Sequence, residues 1–444
     1  DTTAFNFSMV YGLEAITVQE NISSNLVDWE PSNQSIDVSN EAVIWATDGV
    51  DDNSVAFAAR LMEQDVQVRI IDKEASLSGY NLSRGSVAVI RMDNPNITNL
   101  SDIVSKVASE LNISIVSLDS GFGPEELPDW GGRHFRLLKK PQIAILSHEG
   151  FNSYDVGVSW WSIDHHLGIR HSQLNTSILS YADLRRYNTI VVPSGWALDD
   201  NSKKSLNDWV KQGGTLIAHN YGTRSLIGDN GIGNVKHLSD TFDNSEDYNF
   251  DLQREIYSLE DNINKEDALN NKVNLNINYP WESADKISED LKKRDKWQSI
   301  FMPSGAMVAG RTDQKHWLTF GAIDVLPVLY GNYPILMTSD NAQAAVRIGE
   351  LIDDPSKESA RAINWSTIPA GKDINVRMSG LVWPEASQRI ANSAYLTREK
   401  VGKGQVILFS GEPNYRGSAL GTNRLWLNAV IYGAGLGSNS EIDL

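Results

Sequence analysis

Three short apolar runs constrain the fold of this chain more than any other feature. They read "IAILSHEG" from residue 143, "IVVPSG" from residue 190 and "LIAHNYG" from residue 216, and each ends in small or polar residues. Amphipathic stretches with helical spacing separate them. Apolar runs joined by such helices are typical of parallel strands that are covered on both faces. The sequence therefore predicts an α/β sheet whose strand ends share one edge, where ligands of such sheets bind.

The rest of the chain divides by composition. Alternating strand and helix patterns predict a smaller α/β domain over residues 41–122, after an N-terminal segment of residues 1–40. Residues 123–140 are rich in glycine and proline and are predicted to be a linker. The main domain is predicted over residues 141–444. An acidic, asparagine-rich stretch interrupts it at about 223–300, and we interpret this stretch as a partly helical insertion with a solvated charged face.

Charge and cysteine content exclude several classes of function. The 444 residues carry a formal net charge of -18 without a basic patch, so a nucleic-acid partner is not expected. The sequence holds no apolar window long enough for a membrane span. It also contains no cysteine, which excludes disulfides, thiolate metal sites and a cysteine nucleophile.

Several motifs together resemble a known family. They are the closing "REKVGKGQVILFSGEPNYRGSALGTNRLWLNAVIYG", the earlier "HWLTFG" and the three apolar runs. This set resembles the class I glutamine-amidotransferase-like domain in the C-terminal region of large bacterial zinc carboxypeptidases of the M14 class. The resemblance implies a flavodoxin-like, glutamine-amidotransferase-like fold with a mostly parallel sheet, preceded by the smaller α/β domain. The opening "DTTAFNFSMVYGLEA" resembles the segment that follows the peptidase domain of that family.

The resemblance also implies a parent protein and its chemistry. The parent is expected to be secreted or periplasmic and to carry a zinc peptidase domain upstream, which is the expected partner of this chain. The zinc site of that family uses a His-x-x-Glu pair and a distant histidine, and this sequence contains no His-x-x-Glu. We therefore expect zinc in the upstream domain, no cofactor and no metal site in this chain, and no peptidase residue within it.

Four residues at the predicted strand ends form a candidate cleft: Glu149, Ser194, His219 and Asn220. Working glutamine amidotransferases place a cysteine in a tight turn at such a strand end, whereas residues 218–222 read Ala-His-Asn-Tyr-Gly here. Neither histidine nor asparagine is a competent acyl nucleophile in that turn. One interpretation is a polar cleft in which Glu149 sets the protonation of His219 and a small ligand is held. The other is that Glu149 and Asn220 cap helices or turns, with His219 as a satisfied buried histidine.

Three further patterns carry weaker hypotheses. The "DHH" at residues 164–166, with His171 nearby, has a metal-like composition, but adjacent helical histidines point about 100 degrees apart. The "DGVDDNS" at residues 48–54 has carboxylates for calcium, but it lacks the closing glutamate of an EF-hand loop and suits a turn with a helix cap. Tryptophan residues offer either a sugar-stacking surface or core packing; they are Trp160, Trp161, Trp365, Trp383 and Trp426.

These observations leave three hypotheses about function. The first is a non-catalytic accessory region of a zinc metallocarboxypeptidase-like protein, which serves domain packing or presents a substrate or ligand such as a peptide or cell-wall fragment. The second is an amidohydrolase-like enzyme that uses Glu149 and His219 with water. The third is a carbohydrate- or cell-wall-binding module that uses exposed tryptophans.

Overall fold

The structure is a computed structural model, and it describes most of the chain. The described residues are 6–16, 18–19, 36, 38–124, 127–196, 198–228, 230–259, 284–339 and 341–438. Most of the predicted N-terminal segment lies outside them, as does the part of the predicted acidic insertion between residues 260 and 283.

The N-terminal part of the fold is a five-stranded sheet with strand order β6-β1-β5-β2-β7. Every pair of neighbours in it is antiparallel. Its strands and an adjoining hairpin are β1 (Ile44–Thr47), β2 (Val68–Ile71), β3 (Ala75–Leu77), β4 (Tyr80–Leu82), β5 (Val87–Ile90), β6 (Val116–Leu118) and β7 (Phe135–Leu137). Strand β7 lies within the predicted linker of residues 123–140, so that range contributes an edge strand to this sheet.

Helices and strands alternate here although no neighbouring strands are parallel. The helices are α1 (Phe7–Tyr11), α2 (Asn53–Glu63) and α3 (Leu100–Leu111). Helix α2 connects β1 to β2, and β5 lies between these two strands in the sheet. Helix α3 connects β5 to β6 in the same way, with β1 between them. The alternation in the sequence therefore arises from split β-α-β units.

Among the described residues the main sheet has twelve strands, nine of which lie in the order β14-β13-β16-β22-β23-β11-β10-β8-β9. The remaining strands of the chain are β8 (Ile143–Ser147), β9 (His171–Asn175), β10 (Thr189–Val192), β11 (Thr215–His219), β12 (Lys236–His237), β13 (Ala306–Thr312), β14 (Val325–Tyr330), β15 (Leu336–Met337), β16 (Ala342–Ile348), β17 (Glu350–Asp353), β18 (Arg361–Ile363), β19 (Ser366–Ile368), β20 (Lys372–Asn375), β21 (Arg377–Ser379), β22 (Ala394–Val401) and β23 (Gly404–Phe409). Strands β17 and β20, and β18 and β19, form separate two-stranded sheets.

Parallel pairing is confined to one part of the main sheet. Strands β9, β8, β10, β11 and β23 are parallel neighbours. From β23 onward, through β22, β16, β13 and β14, neighbours are antiparallel. The predicted α/β class is confirmed, whereas a parallel arrangement describes only these five strands.

In the described part of the chain, six helices accompany the main sheet: α4 (Ser153–Trp161), α5 (Asp200–Lys211), α6 (Ser245–Leu259), α7 (Ala284–Gln298), α8 (Pro384–Ile390) and α9 (Leu420–Leu436). Side-chain caps start two of them, because Asn152 accepts a hydrogen bond from the Tyr154 N–H and Asp199 accepts one from the Ser202 N–H. Helix α9 is buried along almost its whole length, and its apolar side chains join the core that also contains Ile217 and Ile407 of the parallel strands.

The described part of the predicted acidic insertion packs on the core. Tyr248 and Leu252 of α6 and Leu291 of α7 are buried within the main hydrophobic cluster. Between these buried side chains the two helices present exposed charges, including Lys293 and Glu289, which pair one turn apart on α7. The insertion therefore has one apolar side and one solvated side, as expected for amphipathic surface helices.

Candidate functional site

A sharp turn follows strand β11 at the edge where the parallel strands end. Asn220 has a φ of 53°, in the left-handed region, and a 3-10 helix, Asn220–Ser225, starts at it. Gly222 lies against the loop after β10, where an added Cβ would come within 2.5 Å of the carbonyl oxygens of Val192 and Pro193. This strand–turn–helix shape is the type of elbow from which enzymes of related topology project a nucleophile. An amide side chain occupies that position here.

Asp155 lies beside this elbow in the first turn of α4. Its side chain is 4% exposed. Burial raises the pKa of the Asp155 carboxyl, and hydrogen bonds from Ser194 and the Asn220 side chain oppose that rise. Oδ2 of Asp155 has no hydrogen-bond partner among the described residues. Asp155 is thus a partly satisfied buried carboxyl held between three segments of the sheet edge.

His219, the last residue of β11, contacts this carboxyl. It is 1% exposed, and its Nδ1 lies 4.0 Å from Oδ2 of Asp155. Its Nε2 lies 3.2 Å from Oγ of Ser159 on α4, and its ring meets Trp426 of α9 edge-on. Burial lowers the pKa of His219 to about 4, so the imidazole is neutral near pH 7.

A second acidic side chain, Glu412, comes from the loop after β23. It is 7% exposed. Burial, and next the nearby charge of Asp155, raise the pKa of Glu412 to about 7, against a backbone hydrogen bond and the positive charge from Arg416. Two carboxyl groups with raised pKa values therefore interact across this edge of the sheet.

Asp155, Asn220 and Glu412 line an open cleft of about 1020 Å³. Aromatic and polar side chains surround Asp155 and Glu412 in it, namely Asn152, Ser153, Tyr154, Trp161, Asn220, Tyr333, Tyr415 and Arg416. Burial raises the pKa of the Tyr333 hydroxyl, and Glu412, Tyr415 and Asp155 add to that effect, so Tyr333 stays protonated as a possible donor. A concave site with aromatic walls and a few convergent polar groups is the usual form of a small-ligand site.

The structure brings three of the four predicted cleft residues together and leaves the fourth exposed. Ser194 and Asn220 meet at Asp155, and His219 contacts the same carboxyl. Glu149 is exposed in the loop after β8. The predicted control of His219 by Glu149 is wrong, because the carboxylate that faces His219 is Asp155. His148 and Gly150, on either side of Glu149, both have positive φ, and Glu149 is exposed whereas the imidazole of His219 is buried.

The sequence also held signals for the residues that were missed. Glu412 follows β23 in "VILFSGEP", which is the same apolar-run-then-polar pattern that marked the other strand ends. Asp155 lies three residues after the helix cap Asn152, and a carboxylate in a first turn suits the helix dipole. Tyr333 follows the antiparallel strand β14, and no local pattern brings that loop to this edge.

The weaker hypotheses have structural outcomes as well. Among the described residues no group of three histidine, cysteine, aspartate or glutamate side chains is arranged to hold a metal ion. His165 stacks on Trp161, and Nδ2 of Asn423 lies 3.3 Å from Nδ1 of His166. The "DGVDDNS" stretch is a turn in which Asp48 accepts from the Val50 N–H and Asp51 accepts from the Asn53 N–H.

The five tryptophans do not form one surface. Trp365 and Trp426 are buried, Trp160 and Trp383 are exposed, and Trp161 lines the cleft. A shared sugar-stacking face of all five is therefore wrong, because two of these side chains pack in the core. In the described part of the chain, every helix is too short or too polar to span a bilayer.

Comparison with known proteins gives a limited result. No protein-family model and no curated protein matches the chain. A cytoplasmic protein of Salmonella typhimurium is 11% identical, with 65% of this chain and 97% of that one aligned and a TM-score of 0.28. A ThuA-like protein of Bacteroides uniformis is 8% identical over 65% and 89% of the two chains, with a TM-score of 0.31.

A β-galactosidase from Bacillus circulans sp. alkalophilus is 10% identical, with 80% of this chain aligned and a TM-score of 0.32. The matched region spans 38% of the β-galactosidase chain. At these identities and TM-scores, the likeness assigns neither a fold family nor an activity.

Proposed function

We propose that this chain is an accessory, ligand-binding region with a glutamine-amidotransferase-like fold in a secreted or periplasmic zinc metallocarboxypeptidase-like protein. Its cleft holds a small polar ligand without a covalent intermediate, and its partner is the upstream peptidase domain. The sequence motifs support the parent and its location. The observation that carries the binding role is Asn220 at the elbow, because the turn keeps the backbone shape of a nucleophile site and presents an amide.

The surroundings of Asn220 support binding as well. Nucleophile activation needs a base within hydrogen-bond reach of the attacking atom. His219 is the adjacent imidazole, and its Nε2 is engaged by Ser159 while its Nδ1 faces Asp155. Both ring nitrogens of His219 therefore face groups other than an attacking atom at the elbow, which supports binding over covalent catalysis.

A second candidate function is a hydrolase that activates water. One observation favours it: the pKa of Glu412 is raised to about 7, which suits a general base at neutral pH. Asp155 would be the partner acid in such a pair. This candidate replaces Glu149 of the sequence-based hypothesis with Glu412.

Turnover assays distinguish the two functions. We would incubate the purified chain with glutamine, a p-nitrophenyl ester and a dipeptide, and follow product formation and intact mass. The binding role predicts no covalent adduct and the same background rate for the wild type, Asp155→Asn and Glu412→Gln. Turnover that Glu412→Gln abolishes, while the exposed Glu41→Gln variant retains it, would overturn the binding role and establish the hydrolase.

A further inference from the structure

The floor of the cleft carries acceptor atoms that lack donors. Oδ2 of Asp155 and Oδ1 of Asn220 are both buried, both residues line the cleft, and neither atom has a hydrogen-bond partner among the described residues. Buried polar atoms are nearly always paired in folded proteins, and a missing partner is costly. These two atoms therefore point to a ligand that supplies hydrogen-bond donors.

The hydrogen bonds of Ser159 add a third acceptor. Its hydroxyl has one proton, which it donates to the backbone carbonyl of Asp155 at 2.9 Å. Oγ of Ser159 must then accept from Nε2–H of His219, at 3.2 Å. A neutral imidazole protonated at Nε2 has a lone pair at Nδ1, which is unpartnered and lies 4.0 Å from Oδ2 of Asp155. Asp155 and His219 thus face each other as two acceptors.

The charges around the cleft further restrict which group can supply the missing hydrogen-bond donors. Asp155 and Glu412 both line the cleft. The cationic side chain of Arg416 also lines it, but this side chain is exposed, and Cζ of its guanidinium lies 5.1 Å from the centroid of the Tyr415 ring. The backbone N–H of Arg416 contacts Glu412. Paired carboxylates in a half-enclosed site favour a compact cation that brings its own donors.

We infer that the cleft binds the primary ammonium group of its ligand, seated on Asp155 with Asn220 and Glu412 as the neighbouring acceptors. An ammonium group has three donors and no acceptor, which matches an acceptor-rich floor. Its positive charge offsets the two carboxylates, and the aromatic ring of Trp161 in the wall favours a cation. This inference rests on the proposed binding function and specifies the ligand chemistry.

Two sources of such an ammonium group fit the proposed role. A peptide carries one at its N-terminus, and a cell-wall fragment carries one on an unacetylated amino sugar. Acetylation removes the charge and two of the donors in either source while leaving the rest of the molecule unchanged. Each amine and its acetylated form therefore make a matched pair of probes.

Calorimetric titration of the full chain tests the inference. The probes are alanyl-alanine amide and its N-acetyl form, and glucosamine and N-acetylglucosamine. The titration is made at a pH of about 7.5, which lies just below the ordinary pKa of an α-amino group and above the pKa of about 7 of Glu412. At least one amine is expected to bind, with its acetylated form weaker by about ten-fold or more because a charge-assisted hydrogen bond is lost. The binding pair identifies the source.

Variants localise the binding and separate the possible failures. Asp155→Asn and Glu412→Gln are each expected to weaken amine binding by about ten-fold, whereas Asp200→Asn, at an exposed position on α5, leaves it unchanged. Circular dichroism confirms that each variant is folded. Equal binding of an amine and its acetylated form would overturn the ammonium inference and leave the binding role standing. Failure of both amines to bind would also overturn the inference, whereas turnover of a probe would overturn the binding role itself.

Discussion

Glu412 is held in a position that is unfavourable for an ionised carboxylate. Its ordinary pKa of 4.5 rises to about 7 because the side chain is buried and faces Asp155. Between these two pKa values the folded protein binds a proton that the unfolded chain has released. The free energy of unfolding therefore falls as the pH rises from about 4.5 to about 7, and the lost stability is not regained above that range.

Glu412→Gln should remove this pH dependence. Glutamine keeps the size and the acceptor oxygen but never ionises, so we expect the variant to be more stable than the wild type by about 2 kcal/mol above pH ~8 and nearly equal near pH ~5. Urea unfolding at the two pH values measures the difference. Glu41→Gln at an exposed position is the control and should follow the wild type at both. If the variant and the wild type differed in free energy of unfolding by the same amount at both pH values, the pKa of Glu412 would not be raised by its surroundings.

His219 changes the free energy of unfolding with pH in the opposite direction to Glu412. Burial lowers its pKa to about 4 from an ordinary value of 6.5, so the unfolded chain binds a proton that the folded protein does not. The stabilisation that the neutral imidazole of His219 provides is complete above about pH 6.5 and is lost as the pH falls toward about 4. Between about pH 4.5 and pH 6.5, acidification raises the free energy of unfolding through Glu412 and lowers it through His219. The Glu412→Gln variant should therefore lose stability on acidification more steeply than the wild type.

The elbow after β11 depends on a residue without a side chain. Gly222 approaches the carbonyl oxygens of Val192 and Pro193 so closely that a Cβ would lie 2.5 Å from each. Backbone atoms of a central strand end cannot move far, because β10 is paired on both sides by β8 and β11. The contact thus fixes where Asn220 stands relative to Ser194 and Asp155.

We expect Gly222→Ala to destabilise the protein by about 2 kcal/mol or more, since the methyl group forces the two loops apart. Thermal unfolding gives the stability, and amine binding should weaken in parallel because Asn220 is displaced. Gly131→Ala is the matched control, because nothing lies within 4 Å of the added Cβ there, and it should stay within about 0.5 kcal/mol of the wild type. Wild-type stability of Gly222→Ala would mean that the close approach does not hold the elbow.

Sequence patterns predicted individual strands but did not predict in which direction the strands pair. The runs at Ile143–Ser147, Thr189–Val192 and Thr215–His219 are buried parallel strands, as their continuous apolar character predicted. Strand β22 carries similar residues but pairs antiparallel with β23, because a short turn at Val401–Gly404 joins them as a hairpin. Pairing direction depends on such connections and on long-range packing, which local hydrophobicity does not encode.

The same limit applies to the cleft. Ser194 and Asn220 were identifiable because they follow strands that the pattern makes parallel neighbours. Asp155 projects from a helix, and its contact with the imidazole of His219 depends on how α4 lies across the sheet. Tyr333 reaches the cleft from the antiparallel part of the sheet. A single sequence places residues at strand ends, whereas these contacts follow from tertiary packing.

A buried cation on α9 adds to the connection between the five-stranded sheet and the twelve-stranded sheet, whose apolar side chains also share one hydrophobic cluster. Arg424 is 2% exposed. Its guanidinium donates to the carbonyl oxygens of Gly49 and Asp51 in the turn after β1, at 2.6 and 3.0 Å, and lies 3.2 Å from Oδ1 of Asp52. The turn that was considered for calcium is therefore the place where the smaller sheet meets the C-terminal helix. A planar guanidinium suits this role because its fixed donors bind several acceptors at once.

Replacement of Arg424 should weaken the connection between the sheets. Arg424→Met keeps an unbranched apolar side chain but leaves the carbonyls of Gly49 and Asp51 without their donor, so we expect a loss of about 3 kcal/mol in the free energy of unfolding. Hydrogen exchange should accelerate first at the amides of β1 and α2, which lie next to that turn, while strands β10 and β11 remain protected. Arg185→Met removes a cation from an exposed pair with Asp183 and should leave the free energy of unfolding close to that of the wild type. Uniform acceleration across both sheets would contradict a local connection and would mean that Arg424 stabilises the molecule as a single cooperative unit.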